Sequence, residues 1–264
     1  MSALPTGHYV ADSSWLHRLD ARAKIVGFFL LLSAIVSAPS LWGYGFVLCV
    51  AAIIVALSRL PLRHALGPLR RLWLFFLVIF AMNVLFFDSA DPLWVWWIFT
   101  VSAEGVAQGV NVVCNVLLIM VLANILTGTT APMDMTWAVA SLFQPLKLLR
   151  VPVEDVAMIV SAAIQFIPTL MDETDTIKKA QIARGARFES KRLTERAASF
   201  LPLIIPIFLA AFRRADDLAT AMEARGYRNA QNRTKKNGHP FHLSDIVALA
   251  SCAAVCLLQL YVLR

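Results

Sequence analysis

The tripeptide Ala-Arg-Gly occurs twice in this chain, at Ala183-Arg184-Gly185 and at Ala224-Arg225-Gly226, so that the two arginines lie 41 residues apart. The flanking residues also match when the two copies are aligned on the arginines. The matched pairs are Asp175 with Asp216, Ile177 with Leu218, Ala180 with Ala221 and Arg187 with Arg228. The spacing and the matched flanks indicate an internal repeat of one structural element.

Each copy has the residues of a helix end. A glycine just past a helix adopts the left-handed conformation that closes it, and a cation in the last turn suits the negative end of the helix dipole. Arg184 and Arg225 are therefore predicted at two helix tips. One interpretation is a simple C-cap. The other is a docking role, because two planar, permanently charged guanidinium groups would suit two related partners that each offer an acidic groove.

The remaining polar residues do not form a catalytic pattern. There is no P-loop, GxSxG or HExxH motif. Asp172, Glu173 and Asp175 are grouped, but at helical spacing beside Lys178 and Lys179 they are interpreted as solvated pairs along one helix. No catalytic residue is predicted.

A metal site is not predicted either. The four cysteines, Cys49, Cys114, Cys252 and Cys256, lie inside apolar runs without metal-ligand spacing. His239 and His242 have helical spacing, but Pro240 separates them. We therefore expect no metal and no cofactor bound by this chain.

The composition places these residues in a membrane protein. Hydrophobic residues make up 59% of the chain and charged residues 16%, against about a quarter charged in soluble domains. Five apolar runs approach the length that a bilayer requires. They are residues 24–39, 41–58, 71–87, 106–126 and 241–262. The predicted fold is an all-α polytopic membrane protein with about five transmembrane helices.

The basic residues predict its orientation. The chain has 24 Lys and Arg, and 23 of them lie on one side: they precede or begin the first span, connect spans two and three or begin the third, or connect spans four and five. Residues 88–105 contain none. The positive-inside rule then predicts a cytoplasmic N-terminus and an extracellular C-terminus in the cell membrane. This asymmetry accounts for the net charge of +7, so no nucleic-acid partner is expected.

The predicted domains are transmembrane helices 1–4 (residues 1–126), a cytoplasmic domain of long helices (127–240) and transmembrane helix 5 (241–264). In the middle domain we predict helices over 133–149 and 153–186. The apolar run 197–212, interrupted by Pro202 and Pro206, predicts a helix lying along the cytoplasmic membrane face. The aromatic residues 94–99 in the external loop predict an interfacial belt.

Several motifs together resemble the T component of energy-coupling factor (ECF) transporters, the transmembrane scaffold of a class of ABC-type vitamin and micronutrient importers. They are Leu16-His17-Arg18-Leu19-Asp20-Ala21-Arg22-Ala23-Lys24, Trp96-Trp97-Ile98-Phe99-Thr100, Ser102-Ala103-Glu104-Gly105, Pro145-Leu146-Lys147-Leu148, Phe166-Ile167-Pro168-Thr169-Leu170 and Ala221-Met222-Glu223-Ala224-Arg225-Gly226-Tyr227. The resemblance covers nearly the whole chain. Relatives often carry proline where Ala21 stands.

The resemblance implies a non-catalytic subunit that couples two cytoplasmic ATPases, which bind the ATP and Mg, to an exchangeable membrane-embedded S component that binds the vitamin. The ATPase-binding residues it implies are Ala183, Arg184, Gly185, Ala224, Arg225 and Gly226. The residues it implies on the S-component side are Val156, Ile159, Val160, Ile164, Ile167, Leu203, Ile204, Ile205, Ile207 and Phe208. The alternative interpretation is a membrane-embedded enzyme acting on lipid or isoprenoid substrates, with the acids 172–175 as its only candidates.

Overall fold

The computed structural model describes residues 14–37, 41–58, 67–87, 94–96, 99–186, 188, 190, 192–227 and 242–261. The described helices are α1 (Trp15–Arg18), α2 (Ala21–Val36), α3 (Leu41–Ser58), α4 (Gly67–Arg71), α5 (Trp73–Phe86), α6 (Ala103–Thr129), α7 (Pro132–Leu142), a 3-10 helix (Gln144–Leu149), α8 (Val153–Ala183), α9 (Leu193–Ala224) and α10 (Leu243–Tyr261). The chain divides into two compact units, one of residues 7–138 with 238–264 and the other of residues 139–237.

The five predicted spans correspond to α2, α3, α5, α6 and α10, which confirms the all-α membrane fold. Three described helices are long and apolar enough to cross a membrane, namely α6, α8 and α10, and shorter apolar helices cover Gly43–Ser58 and Trp73–Phe86. The first half of α8 was not predicted as a span. The assignment of residues 127–240 to the cytoplasm stays a prediction.

The first unit is a helix bundle with an apolar core. Leu31, Ile35, Val47 and Leu122 are among the buried residues that join α2, α3 and α6. Parallel packing of α10 on α2 extends this core, since the Gly27 position lies within 3.4 Å of the Cys252 sulfur. In a bilayer such packing stabilises the bundle through van der Waals contacts between helices rather than through removal of apolar surface from water.

Two glycines spaced four apart bring α5 and α6 together. A Cβ at Gly105 would lie 3.1 Å from the Phe87 Cβ, and one at Gly109 would lie 3.1 Å from the Phe80 ring. Small residues at this spacing let helix backbones approach within a membrane. The nearby Asn83 amide donates to the Ile79 carbonyl of its own helix at 2.9 Å.

One buried carboxylate ties the beginnings of α2 and α10. Asp245, 1% exposed, accepts from the Asp20 N–H and from the His242 N–H, both at 2.8 Å. Asp20 in turn caps α2 by accepting from the Arg22 N–H at 2.9 Å. Lys24 donates to the Thr129 carbonyl at the end of α6, at 2.9 Å. These bonds satisfy backbone groups that helix ends leave without partners.

The second unit corrects two predicted helices. The predicted helix 133–149 is wrong in extent: α7 ends at Leu142 and a 3-10 helix follows, because Pro145 disfavours α conformation in the residue before it. The run 197–212 is not a separate helix but part of α9, which continues through Pro202 and Pro206. Each proline removes one backbone hydrogen bond, and the 32-residue helix retains the rest.

A short hairpin precedes α6. Strands β1 (Trp94–Trp96) and β2 (Phe99–Val101) are antiparallel, with Trp94 opposite Val101 and Trp96 opposite Phe99. The predicted aromatic belt falls on this hairpin, and its side chains lie outside the described part of the chain.

Candidate functional site: two matched helix ends

The end of α8 forms a complete C-cap. Gly185 has φ +91°, in the left-handed region. Its N–H donates to the Ile182 carbonyl at 2.9 Å, and the Ala186 N–H donates to the Gln181 carbonyl at 3.0 Å. This pair of bonds defines the Schellman motif, with Arg184 as the last residue before the turn.

The end of α9 repeats this geometry bond for bond. Gly226 has φ +72°, its N–H donates to the Glu223 carbonyl at 2.9 Å, and the Tyr227 N–H donates to the Met222 carbonyl at 3.0 Å. Arg225 has nearly the same backbone angles as Arg184, with φ −86° in both. The predicted glycine C-caps are therefore confirmed, and the two tips are structurally equivalent.

Both tips are open to solvent. All six residues of the two Ala-Arg-Gly copies are exposed: Ala183, Arg184, Gly185, Ala224, Arg225 and Gly226. A cap alone does not require arginine at this position, since the closing bonds are made by backbone atoms. Among the described residues no carboxylate forms an ion pair with Arg184 or Arg225, so both guanidinium groups are available to contact another molecule. The matched Arg187 and Arg228 lie outside the described residues, as does His239.

The two helices contact each other at equivalent positions of the repeat. Arg214 of α9 forms an ion pair with Glu173 of α8, with 3.4 Å between Nη2 and Oε2, and the two residues are 41 positions apart. The Arg214 guanidinium also lies 5.7 Å from the centre of the Phe166 ring. Contact between equivalent positions is expected where two helices cross about a local twofold axis.

This contact corrects the interpretation of the acidic group. Glu173 was expected to pair with lysines of its own helix, but it pairs with α9 instead. The 41-residue spacing between Glu173 and Arg214, which equals the spacing of the repeat, could have indicated this pairing from the sequence. Because Glu173 has a structural partner, it gives no support to the enzyme interpretation.

The arm of each helix, defined as the part between the Glu173–Arg214 contact and the Ala-Arg-Gly tip, has the same length in α8 and α9. Glu173 precedes Arg184 by eleven residues, and Arg214 precedes Arg225 by eleven residues. Eleven residues make about three turns and about 16 Å of helix. Each arginine therefore lies on about the same side of its helix as the crossing residue, at the same distance from it.

Most residues implied for S-component contact lie on open apolar faces. Val156, Ile159, Val160, Ile167, Ile204, Ile205 and Phe208 are exposed, whereas Ile164 and Ile207 are half-buried. Leu203 differs, because it is buried and cannot offer a free surface. The residues implied for this contact did not include Leu201, Leu209 and Phe212, which lie in the same apolar run and extend the exposed face of α9. Leu201 and Phe212 stand seven residues before and four after Phe208, and Leu209 stands four after Ile205, which is same-face helical spacing.

Comparisons with known proteins agree with the motifs. The family model described as "Cobalt transport protein" (CbiQ) matches residues 12–236. The chain is similar to the energy-coupling factor transporter transmembrane protein EcfT of Ruminiclostridium cellulolyticum, at 40% identity over 91% of this chain and 90% of the relative. It is also similar to the proteins of that name from Brevibacillus brevis, at 39% identity over 94% of both chains, and Limosilactobacillus fermentum, at 38% identity over 96% of this chain and 94% of the relative.

Proposed function

The chain belongs to the family of energy-coupling factor transporter transmembrane proteins, and we propose that it is the scaffold that couples two cytoplasmic ATPases to a substrate-binding S component. The observation that carries the proposal is the pair of identical exposed helix ends, each presenting an arginine. The chain itself is non-catalytic. The partner ATPases bind the ATP and Mg, and the S component binds the vitamin or other micronutrient.

Each arginine docks in an acidic groove of one ATPase. A guanidinium presents five N–H donors in a planar fork that matches carboxylates. The Schellman turn holds the preceding helix end rigid, which lowers the entropy lost on docking. Two such sites on one scaffold also make the second docking event intramolecular, so the assembly gains affinity without further contacts.

The crossed helices carry motion of the ATPases toward the membrane. Both arms have the same length from the Glu173–Arg214 crossing, so approach of the two ATPases acts on the crossing symmetrically. The apolar faces of α8 and α9 beyond that crossing, including Ile159 and Phe208, receive the S component. This arrangement requires the tips in the cytoplasm and the external hairpin on the other side, with a cytoplasmic N-terminus and an extracellular C-terminus.

Removal of the arginines tests this function. Truncating one partner of a buried, hydrogen-bonded charge pair costs about 2–5 kcal/mol. We expect Arg184→Ala or Arg225→Ala to weaken ATPase binding and transport, and the double variant to lose the ATPases. Lysine should restore binding only in part, because it lacks the planar fork. The measurement is co-purification of both ATPases together with vitamin uptake in the same cells.

The control is Lys179→Ala, which removes an exposed cation from the arm of α8 without touching its tip. If the arginines act only through the helix dipole, each contributes about 0.3–1 kcal/mol, and assembly stays near normal. A double alanine variant that retains both ATPases and normal uptake would rule out the coupling role. Labelling of single cysteines tests the orientation: Val101→Cys should react from outside the cell and Lys178→Cys should not.

A further inference from the structure

A continuous exposed segment connects α7 to α8 and is not used by the proposed function. Every residue from 142 to 152 is exposed. Six of the eleven are large apolar residues, namely Leu142, Phe143, Leu146, Leu148, Leu149 and Val151. Leu148 and Leu149 are 89% and 76% exposed. Apolar surface of this extent marks a contact with something outside the chain.

The 3-10 helix sorts these side chains into faces. With three residues per turn, positions i and i+3 are eclipsed. Leu146 and Leu149 form one row, Pro145 and Leu148 a second, and Gln144 and Lys147 the third. Two rows are therefore apolar and one is polar. A segment that is apolar around two-thirds of its circumference suits a fluid medium better than a protein groove, which covers one face.

The charges of the segment have one sign. Residues 142–152 contain Lys147 and Arg150 and no acid. Lys147 is engaged by Glu154 of α8 at 2.5 Å. No carboxylate of the described residues lies within ion-pair distance of Arg150, which follows Lys147 at the same three-residue spacing. Arg150, which has no ion-pair partner among the described residues, lies beside exposed leucines, and this pattern is typical of a segment at the surface of an anionic membrane.

Arg150 also has an unusual backbone. Its φ is +62°, and it is the one described non-glycine residue with positive φ. Its N–H donates to the Lys147 carbonyl at 3.0 Å and closes the 3-10 helix. Glycine adopts this conformation without steric cost, so arginine here is not explained by the turn. Strained residues of this kind occur where the side chain has a function.

The length of the connecting chain limits the distance between the segment and the bilayer. It follows membrane helix α6, which ends at Thr129, through the eleven residues of α7. That helix is about 16 Å long. The end of α6 is the membrane face at which α2 begins, because Lys24 of α2 donates to the Thr129 carbonyl.

We propose that residues 142–152 form an interfacial anchor, in which the leucines enter the boundary between headgroups and acyl chains and Arg150 binds an anionic lipid phosphate. The anchor fixes the beginning of α8 at the membrane surface. It does not depend on ATPase docking.

An environment-sensitive dye tests the anchor. The dye is attached to Leu148→Cys in the full chain after replacement of the four native cysteines, and the protein is placed in nanodiscs of phosphatidylcholine, with or without phosphatidylglycerol. We expect blue-shifted emission and quenching by lipids that carry a nitroxide on the acyl chain, both stronger with phosphatidylglycerol. The same dye at Lys178→Cys, on the exposed charged half of α8, should report water.

Variants of Arg150 separate its charge from its backbone. In anionic discs, Arg150→Gln should reduce the ratio of inserted to free segment about fivefold. Arg150→Lys should preserve this ratio. Arg150→Gly should reduce insertion as much as Arg150→Gln does, although glycine adopts the positive φ of this position without strain. The anchor is wrong if the dye at position 148 stays in water in anionic discs, or becomes shielded only when partner subunits are added. The lipid role of Arg150 is wrong if Arg150→Gln inserts like the parent.

Discussion

Glu173 and Arg214 occupy the same position in the two copies of the repeat, and their side chains meet at 3.4 Å where α8 and α9 cross. Both side chains are about a third exposed, at 35% and 31%, so the ion pair is partly screened by water. Its importance lies in geometry, because it joins the two arms at equal distances from their tips.

The crossing should be sensitive to loss of Arg214. Arg214→Ala removes the ion pair and the contact with the Phe166 ring, and we expect a loss of about 1–2 kcal/mol in the free energy of unfolding. Transport should fall while both ATPases still co-purify, since the tips are intact. Arg213→Ala, which removes the exposed neighbour, is the matched control. Equal uptake in the two variants would show that the crossing contact does not transmit motion.

The glycines of the tips should not tolerate a side chain. Alanine at Gly185 or Gly226 must adopt positive φ, which costs about 1–2 kcal/mol, although nothing lies within 4 Å of either position. We expect frayed helix ends and weaker ATPase retention. Gly45→Ala is the control, because Gly45 lies exposed inside α3, also with nothing within 4 Å. There the same change should stabilise the chain by about 0.5–1 kcal/mol. Unchanged ATPase retention in Gly185→Ala and Gly226→Ala would contradict this prediction.

Substitutions in the apolar part of α9 should separate effects on partner binding from effects on folding. Ile205 is exposed and Leu203 is buried. Ile205→Glu should leave the chain folded and ATPase-bound but release the S component, because an unpaired charge buried at that contact costs several kcal/mol. Ile164→Glu on α8 should act in the same direction. Leu203→Glu should instead lower the yield of folded protein. Pull-down of the S component checks this, and retention at wild-type levels by Ile205→Glu would mean that the face contacts something else.

Asp245 should be a main determinant of stability in the helix bundle. Each hydrogen bond to its buried carboxylate contributes about 1.5–3 kcal/mol, so Asp245→Ala should cost about 3 kcal/mol or more. Asp245→Asn keeps one carbonyl oxygen and should cost roughly half as much. Thermal unfolding in detergent measures the difference, with the exposed Asp217→Ala as a control near zero. If Asp245→Ala melts at the same temperature as the control, the hydrogen bonds from Asp20 and His242 to Asp245 do not stabilise the bundle.

Features set by neighbouring residues could be predicted from the sequence. The caps at Gly185 and Gly226 follow from Arg-Gly at the end of a helical pattern, and the five apolar runs correspond to helices because their length and composition are local properties. The helix predicted over 197–212 already contained Pro202 and Pro206 but was bounded by the apolar run, whereas α9 extends from Leu193 to Ala224. Its charged turns were not predicted because hydrophobicity set the predicted bounds.

Contacts between distant residues were not predictable in the same way. Nothing near Asp245 indicates that it accepts from the Asp20 backbone, 225 positions away. Glu173 has lysines close by in sequence, and only the offset of the repeat points to Arg214. Arg150 has no sequence signal for positive φ, since that conformation usually selects glycine or asparagine.

The Asp20–Asp245 hydrogen bond also sets an order of events during synthesis. Its acceptor is translated 225 residues after its donor. Until residue 245 has been translated, the amide at the start of α2 lacks its native acceptor, and α2 lacks the helix that packs beside it. The bundle therefore closes late, and α2 must persist in the bilayer without its neighbour while α8 and α9 are being made.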